Sequence, residues 1–328
     1  MAGFRADIAP LSQLPEWDDL ARQHAHGALF ASRRWLYILA DVFGLSDDGI
    51  LVSDTRGPIV GIPLLTRKRG PLRVAPPHPI TLYNGIVSVP GAPAEAIAAG
   101  LNALERRCHY AALLAPPQLD ESVFDNRERW SLSDQASIVV DVADFERTWK
   151  QFTQSLRRKI RRAEEQSLAF HRIEDTGLLL ALHRKSYARH DVAPPLHADV
   201  LRAWLRTLQQ EGIAECYGAS LPAGPTIAAR VVIPDGEILF DWLAGADIAH
   251  LDISASHWLV ARILQEASSR SMRGLDFMGA NTPGVTDFKR SFGGITRPYF
   301  VASYYRHPLI HTIERARNAL RRRRRRVE

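Results

Sequence analysis

Apolar residues recur along this chain at either helical or alternating spacing, and the switches between the two mark out its elements. A helical pattern covers about 12–25 and a second 31–43, where "FASRRWLYILADVFG" places Trp35, Leu36, Leu39 and Val42 at helical spacing behind Ser32 as N-cap. "GILVS" and "IVGIPLLT" then read as strands, and the turn chemistry of "DTRG" between them makes a hairpin. "TLYNGIVSV" predicts another strand. "APAEAIAAGLNALERRCHY" predicts an Ala-rich amphipathic helix, and "AALLA" a short buried strand stopped by Pro116-Pro117.

The second half repeats this order. Helices are predicted over 152–166, over "GLLLALHRKSYARHD" and over "HADVLRAWLRTLQQEG". "AECYGAS" and "TIAARVVIP" flank the turn "LPAGP", "EILFDWLAGAD" is a strand, "SASHWLVARILQEASSR" a helix and "GLDFMGA" a strand. A local echo joins "GPIVGIPLL" to "GPTIAARVV", with small residues Gly61 and Ala229 inside the β runs. Helices, hairpin, strand, helix, strand, occurring twice, point to two copies of one α/β unit. The boundary is expected near 140–150, giving domains at 1–145 and 146–310 and a basic tail at 311–328.

Composition changes this picture little, and charge changes it once. The 328 residues exceed the usual single-domain size, so two domains of about 150 residues are the natural expectation. The net charge of +6 comes from "RRRRRR", Arg321 to Arg326; without it 36 basic residues balance 36 acidic ones. Such an arm suits a polyanion, whether RNA, anionic lipid or protein, and equally fits a solvated helix end. Two cysteines, Cys108 and Cys216, give neither a disulfide framework nor a metal spacing. No signal-like apolar run opens the chain and no stretch approaches a membrane span, so a reducing cytoplasm is expected, with the Arg tail as a route to a membrane surface.

Standard catalytic signatures are absent: no Walker loop, no G-x-S-x-G, no H-E-x-x-H and no dinucleotide fingerprint. His183, Tyr187 and His190 share a helix face without a carboxylate or Cys cluster, which favours packing or solvation over metal ligation. His24 and His26 do not face together. "SLRRKIRRAEEQ" is sharper. Leu156, Ile160 and Ala163 form a narrow buried stripe, and Arg157, Arg158, Lys159, Arg161 and Arg162 turn outward. Like charges at i,i+4 weaken a helix, so the pattern suits phosphate oxygens, although a solvated basic face is also compatible with it. In "LDFMGANTPGVTDFKRSFGG", Lys289 and Arg290 follow a buried strand, where α/β sheets commonly bind ligands. Phe288 and Phe292 suit a short helix anchored so that Lys289 points into a cleft; a surface loop with packed Phe residues is the alternative.

These residues carry a family pattern. "SLRRKIRRAEE", "GPTIAARVV", "SASHWLVARILQEA" and above all "LDFMGANTPGVTDFKRSFGG" resemble the acyltransferase domain of the Fem-type peptidoglycan-bridge enzymes, a branch of the GNAT superfamily. The likeness extends more loosely to the first half. It implies an α/β (α+β) protein of two tandem GNAT-like domains, each a mixed twisted sheet flanked by helices. It implies acyl or aminoacyl transfer to an amine, often on a cell-envelope precursor. In tRNA-dependent members a lysine of the Phe-Lys segment helps hold the donor end and stabilise charge on the reacting carbonyl; here that residue is Lys289. A fixed ammonium lowers the barrier to an oxyanion, and Asp241 or Asp276 is placed to accept a proton, with substrate-assisted transfer equally allowed. Arg157, Arg158, Arg161, Arg162 and Arg290 are the expected donor or phosphate contacts. Tyr83, Asn84, Asn281 and Phe288 are assigned to the substrate cleft.

Neither a metal nor a tightly bound cofactor is expected; aminoacyl-tRNA or acyl-CoA would be the co-substrate. Partners would be tRNA, an anionic membrane surface or lipid-linked precursor, and a small-molecule or peptide amine. "DIAHLDISASHW" has no glycine where coenzyme A-dependent relatives carry a glycine loop, and the helical hairpin of some tRNA-dependent members is missing. A donor on an acyl carrier protein, or a non-catalytic RNA- or membrane-binding module, are the competing expectations.

Overall fold

Each of the two units of the computed structural model has a large hydrophobic core, and a small separate cluster of Val74, Tyr110 and Ala112 belongs to the first. The structure describes residues 3–23, 26–78, 81–125, 127–188, 194, 196–279 and 283–312. Among the described residues, those up to Gln135 together with 298–312 make the first unit, and Ala136–Arg297 the second.

The first unit runs β1 (Arg5–Pro10), α1 (Trp17–Arg22), α2 (Ala28–Ala31), α3 (Arg33–Phe43), β2 (Asp48–Asp54), β3 (Gly57–Leu64), β4 (Arg67–Arg69), β5 (Leu72–Ala75), β6 (Val87–Ser88), α4 (Ala94–Arg107) and β7 (Tyr110–Leu114). Ser32 caps α3 as expected, its Oγ accepting from the Trp35 amide, and the helix buries Trp35, Leu36 and Leu39. One sheet has the order β1-β2-β3-β6. In a second, β5 lies parallel to β7 and antiparallel to β4. "TLYNGIVSV" yields only the two-residue β6, because Tyr83 sits at φ +58° and breaks the extended run. β1 and the Arg-rich β4–β5 hairpin carry too little alternation to be read from sequence.

β8 (Trp130–Asp141) crosses from the first unit into the second, which continues with α5 (Phe145–Gln151), α6 (Gln154–Glu164), β9 (Ala169–Arg172), α7 (Thr176–Ala188), α8 (Ala198–Gln210), β10 (Glu215–Ser220), β11 (Thr226–Asp235), β12 (Ile238–Ala246), α9 (Ala255–Ser269), β13 (Gly274–Asp276) and α10 (Pro283–Arg290). β14 (Ile295–Tyr305) closes the fold and carries the chain back to the first unit. In the second unit the strand order is β8-β13-β12-β11-β10-β9, and β12–β13 is its parallel pair. Leu156 and Ile160 of α6 share a core with Leu259 and Ile263 of α9. Trp204 of α8 meets Trp242 of β12 edge-on, ring centroids 4.9 Å apart.

The division differs from the expected 1–145 and 146–310. It falls inside β8, where exposed Leu132–Asp134 give way to buried Ile138–Val140 of the second core. The strand runs on through that point without a break. At the other end Phe300, Ala302 and Tyr304 of β14 belong to the first core, so the second unit stops short of 310. Each unit is a mixed α/β assembly with helices against twisted strands. Among the described residues no helix is long and apolar enough to cross a membrane. The Arg321–Arg326 arm, His24, His190 and Asn281 lie outside the described residues.

Candidate active site

The second unit's sheet forks. β12 and β13 are paired for three residues only, Ile238–Gly274, Leu239–Leu275 and Phe240–Asp276. β13 ends there, while β12 continues to Ala246. The register with β11 shifts between Val231 and Val232, which skips Trp242; such a bulge sharpens the local twist and turns a strand aside. Backbone groups that β13 leaves behind on β12 are taken up by α7. His183 donates from Nδ1 to the Ala244 carbonyl at 2.9 Å, and the Ala246 amide donates to Ser186 Oγ at 2.8 Å. Gly245 allows this approach, since a Cβ there would lie 2.5 Å from the His183 backbone nitrogen. His183 is thus a packed histidine, its pKa lowered by burial.

Ionisable groups gather at the fork. Asp276 is fully buried, and its Oδ1 accepts from Ser137 Oγ and, at 2.8 Å, from the Met278 amide. Asp241 is buried one residue beyond the last β12–β13 pair, ion-paired with Arg230 of β11. Lys289 of α10 is 9% exposed, and its ammonium donates to the carbonyls of Phe277 (2.6 Å), Met278 (3.3 Å) and Gly279. Met278 (φ +53°) and Gly279 (φ +83°) are left-handed, so Lys289 holds a sharply curled turn closed. Burial lowers the Lys289 pKa to about 8, against the pull of Asp241 and Asp276. Phe292 is fully buried and meets Phe152 and Phe277, anchoring α10 as the aromatic spacing implies.

The basic helix borders this cluster unevenly. Arg158, Lys159, Arg161 and Arg162 are exposed. Arg157 instead donates to the Trp149 and Lys150 carbonyls, closing the C-terminus of α5. Its expected role as a donor contact therefore gives way to a helix-capping one. Burial, helped by Lys159 and Arg230 nearby, brings the His257 pKa to about 4. Phe288 packs against His257, with ring centroids 4.8 Å apart. Arg290 is exposed at the end of α10.

Lys289, Asp276, Asp241 and Phe288 are brought together; Tyr83 and Asn84 are not part of this cluster. Both belong to the first unit, where Tyr83 is completely buried with its ring edge-on to His26 and Tyr299. A side chain sealed in that core does not line a cleft as expected. Arg230 and His257 escaped the sequence reading. Arg230 had left a signal, a single cation inside the apolar run "IAARVVI". Among the described residues no group of three or more His, Cys, Asp or Glu is arranged to hold a metal.

Residues 150–290 match a family model described as an acetyltransferase (GNAT) domain. The fork, Asp241, Asp276 and Lys289 all fall within the matched residues. A crystal structure of FemX superposes with TM-score 0.71 at 13% identity, covering 94% of this chain and 100% of that one. L-PGS from Bacillus licheniformis gives 0.55 at 13%, over 83% and 87%. The C-terminal domain of a putative lysylphosphatidylglycerol synthetase from Agrobacterium fabrum gives 0.56 at 12%, over 90% and 92%. At such identities the likeness is one of fold. No curated protein matches the sequence.

Proposed function

We propose that this protein is an N-acyltransferase that moves an aminoacyl group from aminoacyl-tRNA to an amine of a cell-envelope precursor or small metabolite. The observation that carries the reading is the fork, with a buried ammonium and two carboxylates at its mouth, inside a GNAT-type domain. The carboxyl ends of parallel strands, where they part, are the usual ligand site of α/β sheets. The exposed cations of α6, of which Lys159 lies near His257, suit a polyanionic donor, and the fold likeness to FemX and to a lysylphosphatidylglycerol synthetase favours an aminoacyl group over a plain acetyl.

In this reading the neutral acceptor amine attacks the ester carbonyl. A C–N bond forms, an oxyanion develops and the C–O bond to the carrier breaks. Lys289 supplies fixed positive charge for that oxyanion. Its Met278 contact, the longest of the three at 3.3 Å, is the one an incoming oxyanion replaces. Asp276 is occupied by Ser137 and Met278, and it holds the turn. The amine proton leaves with the departing carrier oxygen, so no free protein base is required.

Acyl-CoA is the second donor to consider. α9 begins at Ser254 without a side-chain cap, which leaves its first amides open to a phosphate. A transfer assay with charged tRNA and acyl-CoA donors against a panel of amines separates the two. Lys289→Ala is expected to lower turnover at least ~10-fold, the scale of one lost charge-stabilising contact, and near-UV circular dichroism reports separately whether the turn that Lys289 closes survives. Wild-type rates in that variant would remove the assigned role. Salt-sensitive RNA binding with no transfer from any donor would instead mark a non-catalytic binding module.

A further inference from the structure

The Arg230–Asp241 pair is incomplete. Asp241 Oδ2 accepts from Arg230 Nη1, but Asp241 Oδ1 and Arg230 Nε have no hydrogen-bond partner among the described residues. Both side chains are deeply buried, 8% exposed for Arg230 and 4% for Asp241. Leaving a charged donor and a charged acceptor dry and unmatched is costly, so the pair calls for a further partner. Neither atom helps to hold the fold: the turn at β13 depends on Lys289 and Asp276, and the core on apolar side chains.

The leftover atoms also specify a chemistry. Oδ1 calls for a cation or N–H donor, and Nε for an oxygen acceptor. An α-aminoacyl group offers both within three bonds, an ammonium and a carbonyl oxygen. A plain acyl group offers only the oxygen and would leave the carboxylate unmatched. We infer that Arg230 and Asp241 form the subsite that recognises the α-ammonium of the donor's aminoacyl group and so select aminoacyl over plain acyl donors. The assignment rests on the aminoacyl reading above and replaces the base role for Asp241.

The aromatic neighbour of the pair is Phe288. This half-buried ring lies over Arg230, whose Cζ is 5.1 Å from the ring centroid, and against His257. In the proposal Phe288 is the side chain that moves, and its return over a bound aminoacyl group excludes water and strengthens the new contacts. A site built to pair a charged group discriminates strongly against an analogue lacking it, because its own buried atoms are then left unmatched.

The test is titration calorimetry on the full chain with non-hydrolysable 3′-(aminoacylamino)adenosine probes, each compared with its N-acetylated twin. Wild type is expected to bind at least one free-amine probe 10-fold or more tighter than its twin, as one charged contact requires. Asp241→Asn is expected to shrink that ratio to about threefold or less. A double variant, Arg230→Met with Asp241→Leu, replaces the ion pair by apolar side chains, a change often neutral for folding, and is expected to lose the preference too. Equal wild-type affinity for both twins overturns the subsite while the aminoacyl reading stands. So does Asp241→Asn weakening both twins alike, or changing only the KM for the acceptor amine. Transfer from acyl-CoA by a wild-type protein that binds neither twin overturns the donor reading, and the subsite with it.

Discussion

Lys289 is the residue on which sequence and structure meet. Its place after a buried strand and between two phenylalanines made it the candidate cation, and the structure buries it at the fork. Its three carbonyl partners were not legible, because Phe277, Met278 and Gly279 curl around it only once α10 has docked. Burial has a measurable consequence. The group ordinarily deprotonates at 10.5 and here at about 8. Below about pH 8 both folded and unfolded chains hold the proton, so the penalty of burying it is constant. Between about 8 and 10.5 only the unfolded chain holds it, so this group's contribution to stability rises with pH. Denaturant unfolding at pH 7.5 and 9.5 is expected to show that Lys289→Met lacks the rise. Transfer moves the opposite way: the kcat profile should fall as pH passes about 8 and the ammonium is lost. Arg230 was the residue-scale miss, since nothing in a strand sequence tells which charge faces across to a partner carboxylate.

At the scale of elements, hydrophobic periodicity recovered α3, α4, α6 to α9 and both hairpins, because each buries a stripe set by its own spacing. It could not tell the cations of α6 apart. Arg157→Ala is expected to cost about 1 kcal/mol of stability through the lost α5 carbonyl contacts, with polyanion affinity unchanged. Changing Arg158, Arg161 and Arg162 to Gln should leave stability alone and flatten the salt dependence of polyanion binding. Denaturation curves and binding at two salt concentrations distinguish the two outcomes. The Gly-Gly after α10 is likewise explained by packing. Gly293 has φ +77°, and a Cβ there would meet the Gln151 carbonyl oxygen at 2.7 Å. Gly293→Ala is expected to destabilise by roughly 1–3 kcal/mol in chemical denaturation.

For the whole molecule, charge was legible by counting and topology was not. Deleting Arg321–Arg326 should weaken binding to RNA or anionic vesicles and reduce its salt dependence. Melting of the folded body should stay unchanged, since the arm accounts for the net charge of +6 and leaves a balanced remainder. The duplicated element order, the amphipathic faces and the anchored Phe-Lys segment follow from local spacing, which the order of residues alone dictates. The unit boundary inside β8, the return of β14 to the first core and the parting of β12 from β13 depend on contacts between residues far apart in the chain, and the Arg230–Asp241 pair on the bulged register of the β11–β12 hairpin. Only the folded sheet brings those residues within reach, so only the tertiary structure decides where the charges meet.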